Sequence, residues 1–68
     1  MANGKHKNYS ALLIHPAGNR TSADCDSAAE CLQIFKQSSA VKMILYKATH
    51  NNTRFKKVDT YGFEFKTA

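Results

Sequence analysis

The chain is poor in the residues with which small domains build covalent, metal or cofactor sites. Its 68 residues include no tryptophan, one proline, three glycines and two cysteines. The glycines are too scattered for a phosphate-binding loop, and the cysteines and histidines lack the spacings of a zinc site. We therefore expect no catalytic residue, no metal and no cofactor, and hence a protein that binds rather than one that catalyses a reaction.

Acidic residues are missing from the middle of the chain. None occurs between Glu30 and Asp59, although the whole chain has five acids, ten basic residues and a net charge of +5. The cations in this acid-free stretch are Lys36, Lys42, Lys47, Arg54, Lys56 and Lys57. A positive field concentrated on a small surface attracts a polyanion or an acidic protein.

Long apolar runs are also missing. The run Leu12–Ile14 is far shorter than the roughly 20 residues that cross a bilayer. The basic N-terminus is not followed by an apolar stretch typical of a signal peptide. These absences predict a cytoplasmic protein with no membrane partner.

The length of the chain predicts one small domain. A fold of about 60 residues buries only about 60% of the surface of its unfolded chain, which leaves little room for a deep pocket. Hydrophobic residues make up 43% and charged residues 22%, a composition typical of a globular protein. We expect residues 1–7 to form a flexible basic arm and residues 8–67 to form a single α+β domain.

The clearest local pattern is an amphipathic helix. Ser27 and Glu30 have the spacing of a capping box, and Lys36 lies where the helix dipole favours a cation. The apolar residues between them recur at helical spacing: Ala28, Cys31, Leu32 and Phe35. This pattern predicts a helix with one apolar stripe facing a core.

Both cysteines are assigned to this helix. Six residues separate Cys25 from Cys31, which corresponds to about 9 Å along a helix axis. A disulfide requires Cα atoms within about 7 Å of each other. The prediction is therefore two reduced and partly buried thiols.

Apolar and β-branched runs bounded by turn residues predict the strands. They are Tyr9–His15, a short return at Arg20–Ala23, Val41–Thr49 and Arg54–Val58, with turns at Pro16–Asn19 and His50–Thr53. The end of the chain has two interpretations. Either a turn at Asp59–Gly62 precedes a strand at Phe63–Phe65, or residues 54–65 form one strand with a bulge near Gly62.

These elements predict an α+β fold: a small single-layer antiparallel sheet of three to five strands with one α-helix packed across one face. The order is a strand, an optional second strand, the helix, a hairpin and an optional last strand. One helix covers only one face of a sheet, so Ile44 and Tyr46 would be exposed on the other face. A partner or a second copy of the chain would cover them.

The basic hairpin is the candidate binding site. Fixed cations bind phosphates, and flat aromatic rings stack on unpaired bases. The residues assigned to anion contacts are Lys36, Lys42, Lys47, Arg54, Lys56 and Lys57, with Tyr46 and Phe55 for stacking and Lys5 and Lys7 of the arm for further phosphate contacts. In the alternative interpretation these lysines only protect an exposed sheet edge from aggregation.

In size, strand–helix–hairpin order and charge, residues 9–66 resemble the small proteins that phages and prophages carry to disable host machines, anti-CRISPR proteins among them. The resemblance implies a bacterial or phage-infected cell and a protein partner, such as the acidic surface of a nucleic-acid-processing complex. The residues themselves favour nucleic acid, bound through its phosphate backbone. Both partners remain open, as does a homodimer through the uncovered sheet face.

Overall fold

The computed structural model describes residues 8–49 and 54–67. Its elements are β1 (Tyr9–Ile14), β2 (Arg20–Cys25), α1 (Ala28–Gln37), β3 (Lys42–Ala48), β4 (Phe55–Gly62) and α2 (Phe63–Thr67). The predicted basic arm over residues 1–7, with Lys5 and Lys7, lies outside the described residues. The predicted hairpin loop at His50–Thr53 lies outside them as well.

The strands form one antiparallel sheet in the order β2-β1-β3-β4. The helix α1 connects β2 to β3 and packs on one face of this sheet. The predicted α+β fold is confirmed: the antiparallel sheet has four strands, within the expected three to five, and a helix packs across one face. None of the helices formed by residues 8–49 and 54–67 is long and apolar enough to cross a membrane.

The core lies between α1 and one face of the sheet. Its buried residues are Ala11, Leu13, Cys25, Cys31, Phe35, Ala40, Met43 and Leu45. Phe35 is the largest fully buried side chain, and it projects from the apolar stripe that predicts the helix. Burying a side chain of this size contributes about 1.5–3 kcal/mol to folding, a large share for so small a domain.

The start of α1 follows its sequence pattern. The Ser27 side chain accepts a hydrogen bond from the Glu30 N–H at 3.2 Å, and Glu30 Oε1 accepts one from the Asp26 N–H at 3.1 Å. These bonds satisfy backbone donors that have no partner inside the helix. The helix therefore begins at Ala28, and Cys25 is the last residue of β2, so the prediction that places Cys25 in the helix is wrong.

The end of the chain differs from both sequence interpretations. β4 continues to Gly62, which lies opposite Lys42, the first residue of β3. Because β3 offers no partner beyond that point, residues Phe63–Thr67 form the helix α2 instead of a last strand. The bulge falls near Val58, where the register shifts between Leu45 and Tyr46, and not near Gly62.

Packing holds α2 against the rest of the domain. The Phe65 ring stacks on Phe35 with centroids 6.2 Å apart and meets Tyr61 edge-on at 5.2 Å. Lys66 Nζ donates to the carbonyls of Ser38 and Ala40 at 2.6 and 2.7 Å. Both carbonyls follow the C-terminus of α1, where the helix dipole favours a cation.

Candidate binding surface on the open sheet face

The strands alternate side chains between two faces of the sheet. On one face, here called the helix face, Ala11 lies opposite Leu45 and Leu13 opposite Met43, and all four are buried beneath α1. The other face, here called the open face, carries no described helix. It is defined by the residues that alternate with the core: Ser10, Leu12, Ile14, Arg20, Ser22, Asp24, Lys42, Ile44, Tyr46, Ala48, Phe55, Lys57 and Thr60.

The middle of the open face is apolar. Leu12 of β1 lies directly opposite Ile44 of β3, and both remain only partly buried. Ile14 and Tyr46 extend this apolar strip towards its two ends. An apolar strip on a sheet face that no described helix covers is a candidate contact surface for another molecule.

Cations surround the apolar strip. Ile14 lies between Arg20 of β2 and Lys42 of β3, and Tyr46 lies opposite Lys57 of β4. Asp24, on the outer strand β2, is the one acidic side chain on the open face in the described part of the chain. The surface therefore combines flat and apolar groups with a positive rim.

The predicted site residues do not form a single surface. Those on the open face are Lys42, Tyr46, Phe55 and Lys57, whereas Lys36, Lys47 and Lys56 lie on the helix side. Arg54 immediately precedes β4 and is exposed. Its carbonyl accepts a hydrogen bond from the Thr49 N–H at 2.9 Å. Alternation along each strand divides these residues into two groups, and the register of β4 with β3 decides which residues of β4 share the open face.

Two lysines of the hairpin face each other on the helix side. Lys47 of β3 lies opposite Lys56 of β4. Like charges in directly opposite positions destabilise a sheet. Lys47 Nζ lies 5.8 Å from the centre of the Tyr9 ring, a cation–π contact that offsets part of this repulsion.

The edge strand β4 is exposed along most of its length. Phe55 and Val58 are 50% and 53% exposed, unusual values for large apolar side chains on a strand. Phe55 lies opposite Ala48 and next to the Tyr46–Lys57 pair. The ring of Phe55 is therefore accessible beside a second aromatic ring and a cation.

Lys36 has a structural partner instead of a place in the candidate surface. Its Nζ lies 5.5 Å from the Phe65 ring, and the residue occupies the last turn of α1. Lys66, which the sequence analysis missed, lies 5.0 Å from the Phe35 ring. These two lysines join the helices to each other.

The two thiols are buried close to each other, and the environment of Cys31 disfavours its thiolate form. Cys25 and Cys31 are both fully buried and unoxidised. Burial, followed by a hydrogen bond with Cys25 and nearby negative charge, raises the pKa of the Cys31 thiol from 9.0 to about 12. A nucleophilic cysteine requires a lowered pKa, so Cys31 has the opposite environment.

Residues 8–49 and 54–67 form no pocket, and they contain no group of three His, Cys, Asp or Glu side chains that could hold a metal ion. His15 is held at both ring nitrogens, by Ser39 Oγ at 3.2 Å and by Thr21 Oγ1 at 2.9 Å. Its contacts connect the β1–β2 turn to the segment that follows α1.

Comparisons with protein-family models, with curated proteins and with solved structures found no match to this chain.

Proposed function

We propose that this chain is a non-enzymatic module of the cytoplasm that binds single-stranded nucleic acid on its open face. The observation that supports the proposal most directly is the Tyr46–Lys57 pair. A ring for stacking and a cation for phosphate lie side by side across two strands. An open antiparallel sheet with accessible aromatic rings suits unpaired bases, since every base has a flat face.

The aromatic residues would stack on adjacent bases. Tyr46 and Phe55 are diagonal neighbours on the open face, because Tyr46 pairs with Lys57 and Phe55 pairs with Ala48. Diagonal neighbours in a sheet lie about 7–8 Å apart, within reach of large side chains. Each stacked base contributes about 1–3 kcal/mol to binding.

The cations of the open face would contact the phosphates. Lys42 and Tyr46 are four residues apart on β3, or about 13 Å along the strand. A nucleic-acid strand that follows β3 would meet Lys57 at one end and Lys42 with Arg20 at the other. Lys47, Lys56 and the distant Lys36 would strengthen the field without touching the bound strand.

Lys56 and Lys57 provide a matched test because they are adjacent, equal in charge and on opposite faces. We expect K57A to weaken the binding of a labelled single-stranded oligonucleotide more than K56A, in fluorescence anisotropy at about 50 mM salt. The salt slope should fall by about 0.7 for K57A, as for the loss of one phosphate contact. Equal losses in the two variants would show an unspecific field instead of a surface.

A second function is favoured by the Leu12–Ile44 pair, an apolar contact surface that phosphates do not require. The chain would then be a small inhibitor of the phage or anti-CRISPR type, binding the acidic surface of a nucleic-acid-processing complex and blocking it. Its partner would remain bound after nuclease treatment. A stoichiometric protein captured by the wild type and lost with I44D, after that treatment, would favour the inhibitor.

A further inference from the structure

The outer edge of β2 has no neighbouring strand within the described residues. β2 is first in the strand order and pairs only with β1 within the described sheet. Arg20, Thr21, Ser22 and Asp24 are all exposed, so the edge presents unpaired backbone donors and acceptors. The strand contains no proline and no lysine, and its register with β1 has no bulge.

The opposite edge of the sheet is protected in several ways. β4 carries Lys56 and Lys57 and a bulge near Val58, all devices that discourage pairing between strands. The Thr60 N–H also donates to Asp59 Oδ1 at 2.8 Å, so this backbone donor is already satisfied. Because β4 carries these features and β2 does not, β2 is the edge better suited to pair with another strand.

The charges of β2 are complementary to those of a second β2. Arg20, Ser22 and Asp24 all lie on the open face, opposite Ile14, Leu12 and Ser10 of β1. If two copies pair antiparallel about Ser22, each Arg20 faces Asp24 of the partner subunit. Opposite charges in such positions stabilise a strand pair. Neither side chain makes a hydrogen bond or an ion pair within the described residues.

We propose that two copies of this chain pair through β2, in antiparallel register about Ser22, to form a continuous eight-stranded sheet. A second copy fits this edge better than another partner because β2 carries one cation and one acid in self-complementary positions. Alternation requires that directly opposite side chains point to the same face, and the register about Ser22 meets this requirement. The inference stands independently of the proposed function.

Pairing of this kind would double the candidate binding surface. The two-fold axis of the antiparallel pair is perpendicular to the sheet, so both open faces point the same way and both α1 helices lie behind. Eight strands about 4.8 Å apart give a platform about 38 Å wide. The interface is small, so we expect a dimer with a dissociation constant in the micromolar range.

A charge-swap cycle tests this register by sedimentation velocity of nucleic-acid-free protein, from about 1 to about 500 µM. R20D and D24R each place like charges opposite each other, and each should weaken the dimer by about tenfold. The double variant R20D/D24R should restore the dimer to within about threefold of the wild type. Within one chain the two positions are about 13 Å apart, so the rescue reports a contact between copies.

Circular dichroism of each variant checks that it is folded. Folding is expected in all of them because both positions are exposed. Dimerisation by wild type, its loss in the single variants and its return in the double variant support the proposal. A wild type that is monomeric at every concentration overturns it. So does a dimer that survives R20D and D24R but is lost with I44D, because that dimer would form through the open face.

Discussion

Lys66 of α2 donates a hydrogen bond to the carbonyl of Ala40, with Nζ 2.7 Å from the oxygen. The same ammonium group reaches the Ser38 carbonyl, so one side chain satisfies two backbone acceptors beyond the end of α1. The contact spans 26 residues of sequence and connects the last helix to the first.

Replacement of Lys66 by methionine should destabilise the domain by about 1–3 kcal/mol, because K66M leaves two partly buried carbonyls without their charged donor. Urea unfolding followed by circular dichroism measures the change. The matched control is K57M, which replaces an exposed lysine and should change the free energy of unfolding by less than about 0.5 kcal/mol. Equal stability of K66M and K57M would show that the contact contributes nothing.

The two phenylalanines of α2 should differ in their effect on stability. Phe65 packs on Phe35 and Tyr61, whereas Phe63 is 52% exposed. We expect F65A to cost about 2–3 kcal/mol, less than the loss of a fully buried phenylalanine because Phe65 is only partly buried, and F63A to cost less than about 1 kcal/mol. Thermal unfolding of the two variants provides the measurement. A larger loss in F63A would mean that α2 docks through the other side.

Stability should fall in alkaline solution because of Cys31. The unfolded chain releases the thiol proton near pH 9, whereas the folded chain keeps it until the pKa of about 12. The unfolded state therefore binds fewer protons between these values, and stability present below pH 9 is lost as the pH rises towards 12. Burial also raises the pKa of the Tyr61 hydroxyl, which adds in the same direction.

Urea unfolding of wild type and C31A between about pH 8 and 11 measures this dependence. The variant should be less stable at neutral pH but should lose less of its stability with rising pH. Parallel curves for the two proteins would assign the alkaline loss to groups other than Cys31.

Neighbouring residues of β3 should respond oppositely to a polar substitution. Leu45 is buried under α1, and L45S should unfold the domain or cost about 2–5 kcal/mol. Ile44 lies on the open face, and I44S should cost less than about 1 kcal/mol. Urea unfolding compares the two. A similar loss for both would indicate that the open face is covered within the protein.

The sequence predicts the parts of this fold that local chemistry decides. The apolar stripe ending at Phe35, with the cap at Ser27, predicts α1, and the apolar run of β3 predicts a strand. Alternation along β3 also predicts that Ile44 and Tyr46 lie opposite the core. Each of these patterns lies within one element, where spacing alone determines the face.

The parts that the sequence did not predict depend on contacts between elements. Phe63–Glu64–Phe65 alternates like a strand, but β3 begins at Lys42, opposite Gly62, and offers no partner to the residues after Gly62, so the segment becomes helical. Acidic residues typical of a helix start flank Cys25 in the sequence, yet Cys25 belongs to β2 and lies opposite Tyr9 of β1. The hydrogen bonds from Lys66 to the carbonyls of Ser38 and Ala40 connect distant segments, and no local sequence pattern predicts them.

The charge pattern of the sequence predicted the residues of the candidate site, but the structure places these residues on two faces of the sheet. Lys47 and Lys57 both belong to the basic hairpin, but strand alternation and the bulge place them on opposite faces. A count of lysines in the sequence merges them into one site. The register of β3 with β4 is needed to separate the residues that can touch one ligand from those that cannot.

Binding of single-stranded nucleic acid to the open face can be followed residue by residue in a methyl NMR titration. Labelled methyl groups of Leu12, Ile14 and Ile44 report the open face, and those of Leu13 and Leu45 report the helix face. Addition of a short unlabelled oligonucleotide at low salt should shift the first group and leave the second nearly unchanged. Shifts confined to the helix face, or no shift at saturating oligonucleotide, would rule out binding of nucleic acid on the open face.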